Sequence, residues 1–467
     1  MNSNIITKVS INKLPLFLIF LVPILTVIIT HYTNDVAISL YILIVLCIVS
    51  AVLLIFIINP FWGFIFILVY KPFADLVTLP LVNSGGRIVF FILVISWFLK
   101  YVFHGKTKAF ELLNSNKIIV FFVFSLFVSS FFAIKPLPSF AKSIEVTAYI
   151  IMSFFIMQDV VTDKKKLNIL IIALALSLGG VSFFAINDFI ITGSINKYGY
   201  MRRLGGIYSN PNQLGSALMY GIPFILYISL NTKNNALKIL FIILFFTSFF
   251  SLGLTVSRTY LIGFVVFIIS YLMLGVKHKT IDLKRFLIII MIITVLSLLL
   301  YHFFIDNIIE RASQDISEDL RYFIFLKGLR LLFIEHPFIG VGLENFQHTV
   351  VSDTNLNIIL SQHGGMHGHD IVSKLFASIG LFGTVILLII MYRIFNNFNR
   401  AAKIGFLQND RYLFNLIILL QAGYIALLSS AIGTGLIFNS NFWTYYSLSV
   451  LLYKWGDKNV ILLNNKP

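Results

Sequence analysis

Uninterrupted apolar runs of about 20 residues recur along almost the whole chain, separated by short polar breaks. A helix of that length crosses a hydrocarbon core about 30 Å thick, so each run predicts a transmembrane helix. In the first part of the chain the runs are Leu14–Thr30, Val36–Ile57, Phe61–Leu79, Arg87–Val102, Ile118–Ile134, Ser139–Met157 and Leu167–Ile191. The remainder adds Gln213–Leu230, Leu237–Leu254, Thr259–Val276, Phe286–Phe304, Ile371–Ile394, Tyr412–Ile432 and Phe442–Tyr453. Lys71 and Asp75 interrupt the third run. Lys8 and Lys13 ahead of the first run resemble the opening of a signal peptide. No small-x-small cleavage pattern follows, however, and the segment reads as a retained helix. The runs are continuous rather than alternating, which excludes a β-barrel. The expected fold class is all-α, a polytopic transmembrane helical bundle of about 12–14 spans.

Composition agrees with the pattern. Of 467 residues, 58% are apolar and 12% charged, whereas soluble domains carry about 25% charged residues. A net charge of +16 would suggest nucleic acid in a soluble protein. Here its distribution matters more than its sum. With the N-terminus inside, the cytoplasmic segments hold 22 of the 35 Lys and Arg residues. The positive-inside rule then puts both termini in the cytoplasm and favours an even number of spans. The expected partner is the lipid bilayer, and no nucleic acid. Cys47 stands alone, so neither a disulfide within the chain nor a cysteine metal site can form.

One connection breaks the rhythm. Residues 305–368 form a loop of 64 residues on the expected outer side, far beyond the usual connection length. Within it Glu318–Glu335 reads as an amphipathic helix, with Leu320, Phe323, Leu326, Leu329, Leu332 and Phe333 near helical spacing. His336-Pro337 ends that helix, and the glycines of Phe338-Ile-Gly-Val-Gly-Leu-Glu-Asn-Phe346 permit a tight turn. The chain therefore divides into N-terminal transmembrane helices (1–191), central helices with arginine motifs (192–304), the outer loop (305–370) and C-terminal transmembrane helices (371–467).

Basic residues on the outer side run against the topological bias. Arg202 and Arg203 precede Leu-Gly-Gly-Ile-Tyr-Ser-Asn-Pro-Asn-Gln-Leu-Gly, residues 204–215, and Arg258 opens a span within Thr-Val-Ser-Arg-Thr-Tyr. Snorkelling to lipid phosphates would account for them. So would an anion site, because the arginine fork suits phosphate oxygens. Asn210-Pro211-Asn212 is a helix start whose free N–H groups would face the same rim. The second constellation is Gln362-His-Gly-Gly-Met-His-Gly-His-Asp370, leading into an apolar helix. His363, His367 and His369 with Asp370 invite a zinc reading, but their spacing is not a regular helical pair and no further ligand is evident. No metal and no cofactor is expected. A histidine there either caps the helix or acts as a general base near neutral pH.

The order of these elements resembles that of the O-antigen ligase and O-antigen polymerase superfamily of bacterial envelope glycosyltransferases. The matching segments are Arg203–Gly215, Ser257–Gly263, His336–Phe346 and His367–Gly383, roughly the C-terminal half. The resemblance implies a GT-C-like fold that transfers glycan from an undecaprenyl-pyrophosphate carrier outside the bacterial cytoplasmic (inner) membrane, without metal. It also implies that Arg203 and Arg258 bind pyrophosphate and that His369 activates the acceptor hydroxyl. Arg202, Asn210, Asn212, Arg321, His367 and Asp370 are candidates for substrate binding or support. The usual His-Asn is His369-Asp370 here, and Ala377-Ser-Ile379 replaces an acidic residue near the following G-x-x-G.

The chemistry is coherent in its own right. A sugar hydroxyl is a poor nucleophile that profits from a base. A lipid pyrophosphate leaves readily if its developing charge is stabilised, which fixed arginines can do. Direct attack inverts the anomeric centre. The favoured reading is a polymerase joining lipid-linked repeat units of O-antigen or capsule, with a flippase and a chain-length regulator as accompanying proteins. The alternative is a ligase delivering glycan to lipid A–core. A transporter would instead need Lys71–Asp75, Lys142–Glu145 and Asp188 as midplane polar groups.

Overall fold

The computed structural model describes residues 59–76, 116–193, 204–208, 210–278, 317–351, 371–407, 410–433 and 439–464, with a few isolated positions between 90 and 98. Every regular element among the described residues is helical. The chain divides into two compact units, residues 1–107 and 108–467. In the first unit, α1 (Pro60–Tyr70) begins behind Asn59, whose side chain accepts the Phe61 N–H at 3.3 Å. It tightens into a 3₁₀ helix, Lys71–Leu76, so the α-helical part of the third apolar run ends where its charges begin. The expected spans Leu14–Thr30, Val36–Ile57 and Phe286–Phe304 lie outside the described residues, as does most of Arg87–Val102.

The second unit contains α2 (Lys117–Phe131), α3 (Pro136–Val160), α4 (Lys164–Thr192), α5 (Pro211–Asn231), α6 (Asn235–Leu254) and α7 (Arg258–Lys277). After these come α8 (Ser317–Arg330), α9 (Phe346–Val351), α10 (Ala377–Leu407), α11 (Arg411–Ile432) and α12 (Ser440–Asn464). Among the described residues seven helices, α3 to α7, α10 and α11, are long and apolar enough to cross a membrane. Their ends carry ordinary stop and start chemistry. Asp163 caps α4 by accepting the Lys166 N–H at 2.9 Å, and Gly193, at φ +74°, ends it.

Side-chain contacts sort the helix ends into two rims. At one, Lys164 of α4 pairs with Asp410, which caps α11 through the Leu413 N–H at 3.1 Å. Burial raises the Asp410 carboxyl pKa, but the hydrogen bond from Lys164 and that from Leu413 outweigh it and leave the carboxyl below its ordinary value. Asn231 at the end of α5 accepts from Asn415 of α11 at 3.0 Å on this same rim. At the other rim lie the beginnings of α5, α7, α10 and α12 and the end of α11. There the Ser430 hydroxyl and Gly433 of α11 approach Thr259 of α7. The helix pairs meet through small residues: a Cβ on Gly263 would stand 2.1 Å from the Ser430 hydroxyl oxygen. Such contacts replace the hydrophobic drive that lipid removes. Buried amides add cross-links, Gln158 to the Ser447 carbonyl at 2.6 Å and Gln421 to Asn399 at 2.9 Å.

The segment after α8 is backbone-paired to the start of α10. Val341 N–H donates to the Ala377 carbonyl at 3.1 Å and Gly342 N–H to the Ser378 carbonyl at 2.9 Å. In return, Leu381 N–H donates to Pro337 at 2.7 Å and Phe382 N–H to Phe338 at 3.2 Å. This exchange depends on a break at Gly380, whose φ of +66° and ψ of −177° are reserved for glycine. Asn345, fully buried, fastens the same segment to the α2–α3 turn by accepting the Lys135 N–H at 2.7 Å and donating to the Lys135 carbonyl at 3.1 Å. The amphipathic helix expected at 318–335 is present and Leu332 is buried as expected, but the buried stripe also takes in Ile324, Gly328 and Leu331, while Phe323, Leu326 and Phe333 are exposed. A π-helical turn at Leu331–Glu335 shifts the later phase.

Gly380→Ala should lower stability by about 1–3 kcal/mol through backbone strain alone, and its Cβ would also meet the Gly340 nitrogen at 2.5 Å. Gly405→Ala, whose Cβ would rest 3.6 Å from Phe414, should be neutral or slightly stabilising. Thermal unfolding of the detergent-purified variants, followed by size-exclusion chromatography, checks the contrast.

Candidate functional site

Two helix beginnings form the core of the site. Asn210 caps α5: its side-chain oxygen accepts the Asn212 N–H at 2.8 Å, and Pro211 occupies the first helical position, where a missing N–H costs nothing. The turn before this cap, closed by the Tyr208 N–H on the Gly205 carbonyl at 3.0 Å, is held at two points. Leu204 N–H donates to the Leu254 carbonyl of α6 at 3.1 Å, and Gly206, at φ +59°, lies against the Ala185 backbone of α4.

The turn from α6 to α7 is equally constrained. Val256 is buried with φ at +47°, a left-handed conformation unfavourable for a β-branched residue. The Thr255 hydroxyl accepts the Ser257 N–H at 3.2 Å, closing the reversal. Ser257 occupies the cap position of α7, yet its hydroxyl reaches across to Asn212 on α5, donating to the side-chain oxygen at 3.0 Å. Arg258 is the first residue of α7 and is half-exposed.

A third beginning joins them. Asn439 accepts the Asn441 and Phe442 N–H groups at 3.1 and 3.4 Å, capping α12, and donates to the Ser216 hydroxyl of α5 at 3.4 Å. None of α5, α7 and α12 has an acidic residue in its first turn. Helix N-termini carry partial positive charge and favour anions. Here three converge with no acidic residue in their first turns, and an arginine adds to the same sign. Chemically, the arrangement is suited to receive an anion.

The structure thus unites Asn210, Asn212 and Arg258 among the residues singled out from sequence. It adds Ser257 and Asn439, whose roles depend on cross-helix contacts that no local pattern announces. Arg202, Arg203, His367, His369 and Asp370 lie outside the described residues. Arg321 is on α8, with its side chain outside the description. The helix following Asp370 begins with Ile371 and a π-helical turn, Val372–Phe376, ahead of α10. That turn abuts α8, where Gly328 is so close that a Cβ would meet the Ser373 Cα at 2.8 Å. No group of three or more metal-type ligands occurs among the described residues.

Residues 243–388 match the family model described as O-Antigen ligase. The matched stretch runs from within α6, through Arg258 and the outer segment, to Leu388 of α10. Three of the four motifs fall inside it, and Arg203–Gly215 precedes it. No curated protein matches the chain.

The Ser257–Asn212 bond makes a direct prediction. Ser257→Ala and Asn212→Ala should each cost about 0.5–1.5 kcal/mol, and the double variant little more than either single change. Unfolding in detergent measures the cycle, and strictly additive costs would mean that the two side chains do not interact.

Proposed function

The chain carries an O-antigen ligase family domain over residues 243–388, and on that footing we propose that it is a surface-polysaccharide polymerase. It joins undecaprenyl-pyrophosphate-linked repeat units by metal-independent, inverting glycosyl transfer on the extracytoplasmic face of the bacterial cytoplasmic membrane. The observation that carries this reading is the position of Arg258, within the matched domain and at a rim of three helix N-termini. Arg258, with Arg203, neutralises the departing pyrophosphate, and Asn210 and Asn212 fix the donor rim. His369 takes the proton of the attacking sugar hydroxyl, with His367 and Asp370 as its supports. Arg202 and Arg321 contact the glycan or phosphate. A flippase supplies the lipid-linked repeat, and a chain-length regulator sets when growth stops.

Orientation follows from charge. The rim bearing Lys164–Lys166, Lys233 and Lys238 is cytoplasmic by the positive-inside rule, which leaves Arg258 outside. A ligase is the second reading, favoured by the name of the matched family, O-Antigen ligase. The transporter reading has little to rest on. Lys142 and Glu145 pair one turn apart along α3 at 3.0 Å, and Asp188 accepts locally from the Thr192 hydroxyl.

Arg258→Ala should reduce transfer about 10²–10³-fold, as removal of a charge-stabilising donor does elsewhere. Arg258→Lys should recover only part, because a point charge does not reproduce the fork. His369→Ala should abolish transfer while leaving lipid-linked repeats exposed outside. Incorporation of purified lipid-linked repeats into polymer measures all three. In a deletion strain, single repeat units on the acceptor mark a polymerase, whereas bare core with accumulated lipid-linked polymer marks a ligase.

A further inference from the structure

We propose that the apolar surface of α8 and the His336–Phe338 turn is immersed in the lipid of the leaflet at the Arg258 rim, making this stretch an interfacial membrane anchor. Between two membrane-crossing helices such a segment would ordinarily be read as an aqueous loop. Its surface is unsuited to water: Ile334 is 72% exposed and Phe338 73%, with Phe323, Leu326 and Phe333 exposed beside them. α8 is therefore apolar on two sides. One side, Ile324 and Leu331, is buried in a cluster with Val341, Phe346 and Ala377. The other, with Leu326, Phe333, Ile334 and Phe338, is exposed.

Continuity with the lipid-facing surface identifies the occupant. The Phe338 carbonyl accepts the Phe382 N–H at 3.2 Å, so the turn lies at the depth of that residue on α10. From Phe382 the exposed side chains of α10 continue through Val385, Ile389 and Tyr392, one stripe of a membrane-crossing helix. Exposed Phe131, Phe132, Ile134 and Leu137 at the α2–α3 turn extend the same character, and Asn345 ties that turn to the segment. Charge at the edge is arranged accordingly. Glu335 is held by Lys327 at 3.1 Å and by Arg330 at 2.8 Å, so its carboxylate is compensated beside the apolar side chains. The backbone supports this as well: the Pro337 and Phe338 carbonyls accept from α10, the His336 N–H donates to the Leu331 carbonyl and the His336 carbonyl accepts the Gly340 N–H.

The test uses the full chain in a Cys47→Ser background, reconstituted into phosphatidylethanolamine–phosphatidylglycerol vesicles. Nitroxide labels are placed singly through Ile334→Cys, Phe338→Cys and Phe333→Cys, with Val385→Cys as the bilayer reference and Lys233→Cys as the aqueous one. Because these side chains are exposed, labelling disturbs no packing, and three independent sites guard against one that fails to fold. The expected result is collisional access for oxygen several-fold above that for a water-soluble nickel chelate at the three sites, as at 385, with the ratio reversed at 233. Nickel access matching that at 233 would show an aqueous loop and overturn the proposal. Low access for both reagents with an immobilised spectrum would overturn it in favour of a protein cover, whether a second copy or another part of this chain.

Discussion

Backbone that leaves the helical conformation beside a bilayer must find its hydrogen bonds within the protein, because lipid offers none. In this chain the demand is met by the exchange between residues 337–342 and the break in α10. Four backbone bonds pass between Pro337–Gly342 and Ala377–Phe382, and they require glycines at both surfaces. Gly340 and Gly380 both have positive φ, and either Cβ would fall about 2.5 Å from the opposite backbone. The outer segment is thereby made part of the bundle. Asn345 extends the grip to the α2–α3 turn, so α2, α3, α8 and α10 are registered against one another by one stretch of chain.

That registration bears on the chemistry because of where α10 starts. The residues proposed to activate the acceptor immediately precede Ile371, and the helix they lead into is pinned within two turns by Ser378. The Ser378 carbonyl accepts both the Gly342 N–H and the Ser129 hydroxyl, at 2.9 and 2.6 Å. The Arg258 rim is pinned independently through Ser257–Asn212 and Asn439–Ser216. Arg258 and the helix that follows Asp370 in the chain thus both start from helix beginnings fixed by interhelical bonds, the arrangement that holds a reacting geometry better than free loops do.

The sequence made the helical class and most described spans legible, because hydropathy in a membrane protein reports a strict physical requirement. It also made the Asn-Pro-Asn cap and the arginine at the start of α7 visible, since both are local signals. Other features were hidden for equally physical reasons. The stripe of α8 counted from Phe323 and Leu326 is not the buried one, because the cluster that takes up Ile324 and Leu331 is built by the distant residues Val341, Phe346 and Ala377. The α1 run is apolar enough to span by inspection, but its helix ends at Tyr70, before Lys71. Ser257 reads as an ordinary cap, and only the fold reveals that its hydroxyl serves a neighbouring helix. Asn345 looks like one polar residue in a loop until its two bonds to Lys135 are seen.

The electrostatics of the Arg258 rim carry the argument one step further. A cation at a helix N-terminus is unfavourable by about 0.3–1 kcal/mol in exposed settings, and here three N-termini with no acidic residue in their first turns surround one another. The strained Val256 turn adds to the cost of presenting Arg258 at that point. An anion relieves the electrostatic part of the cost, so the rim gains most from whatever state carries most negative charge. In the proposed reaction, with a lipid pyrophosphate as donor, that state is not the bound substrate. Breaking the bond from the anomeric carbon to the phosphate oxygen transfers electron density onto the pyrophosphate, and the released group holds more charge than the diester it came from. A fixed positive rim therefore favours the transition state over the ground state, which is the differential binding that accelerates a reaction.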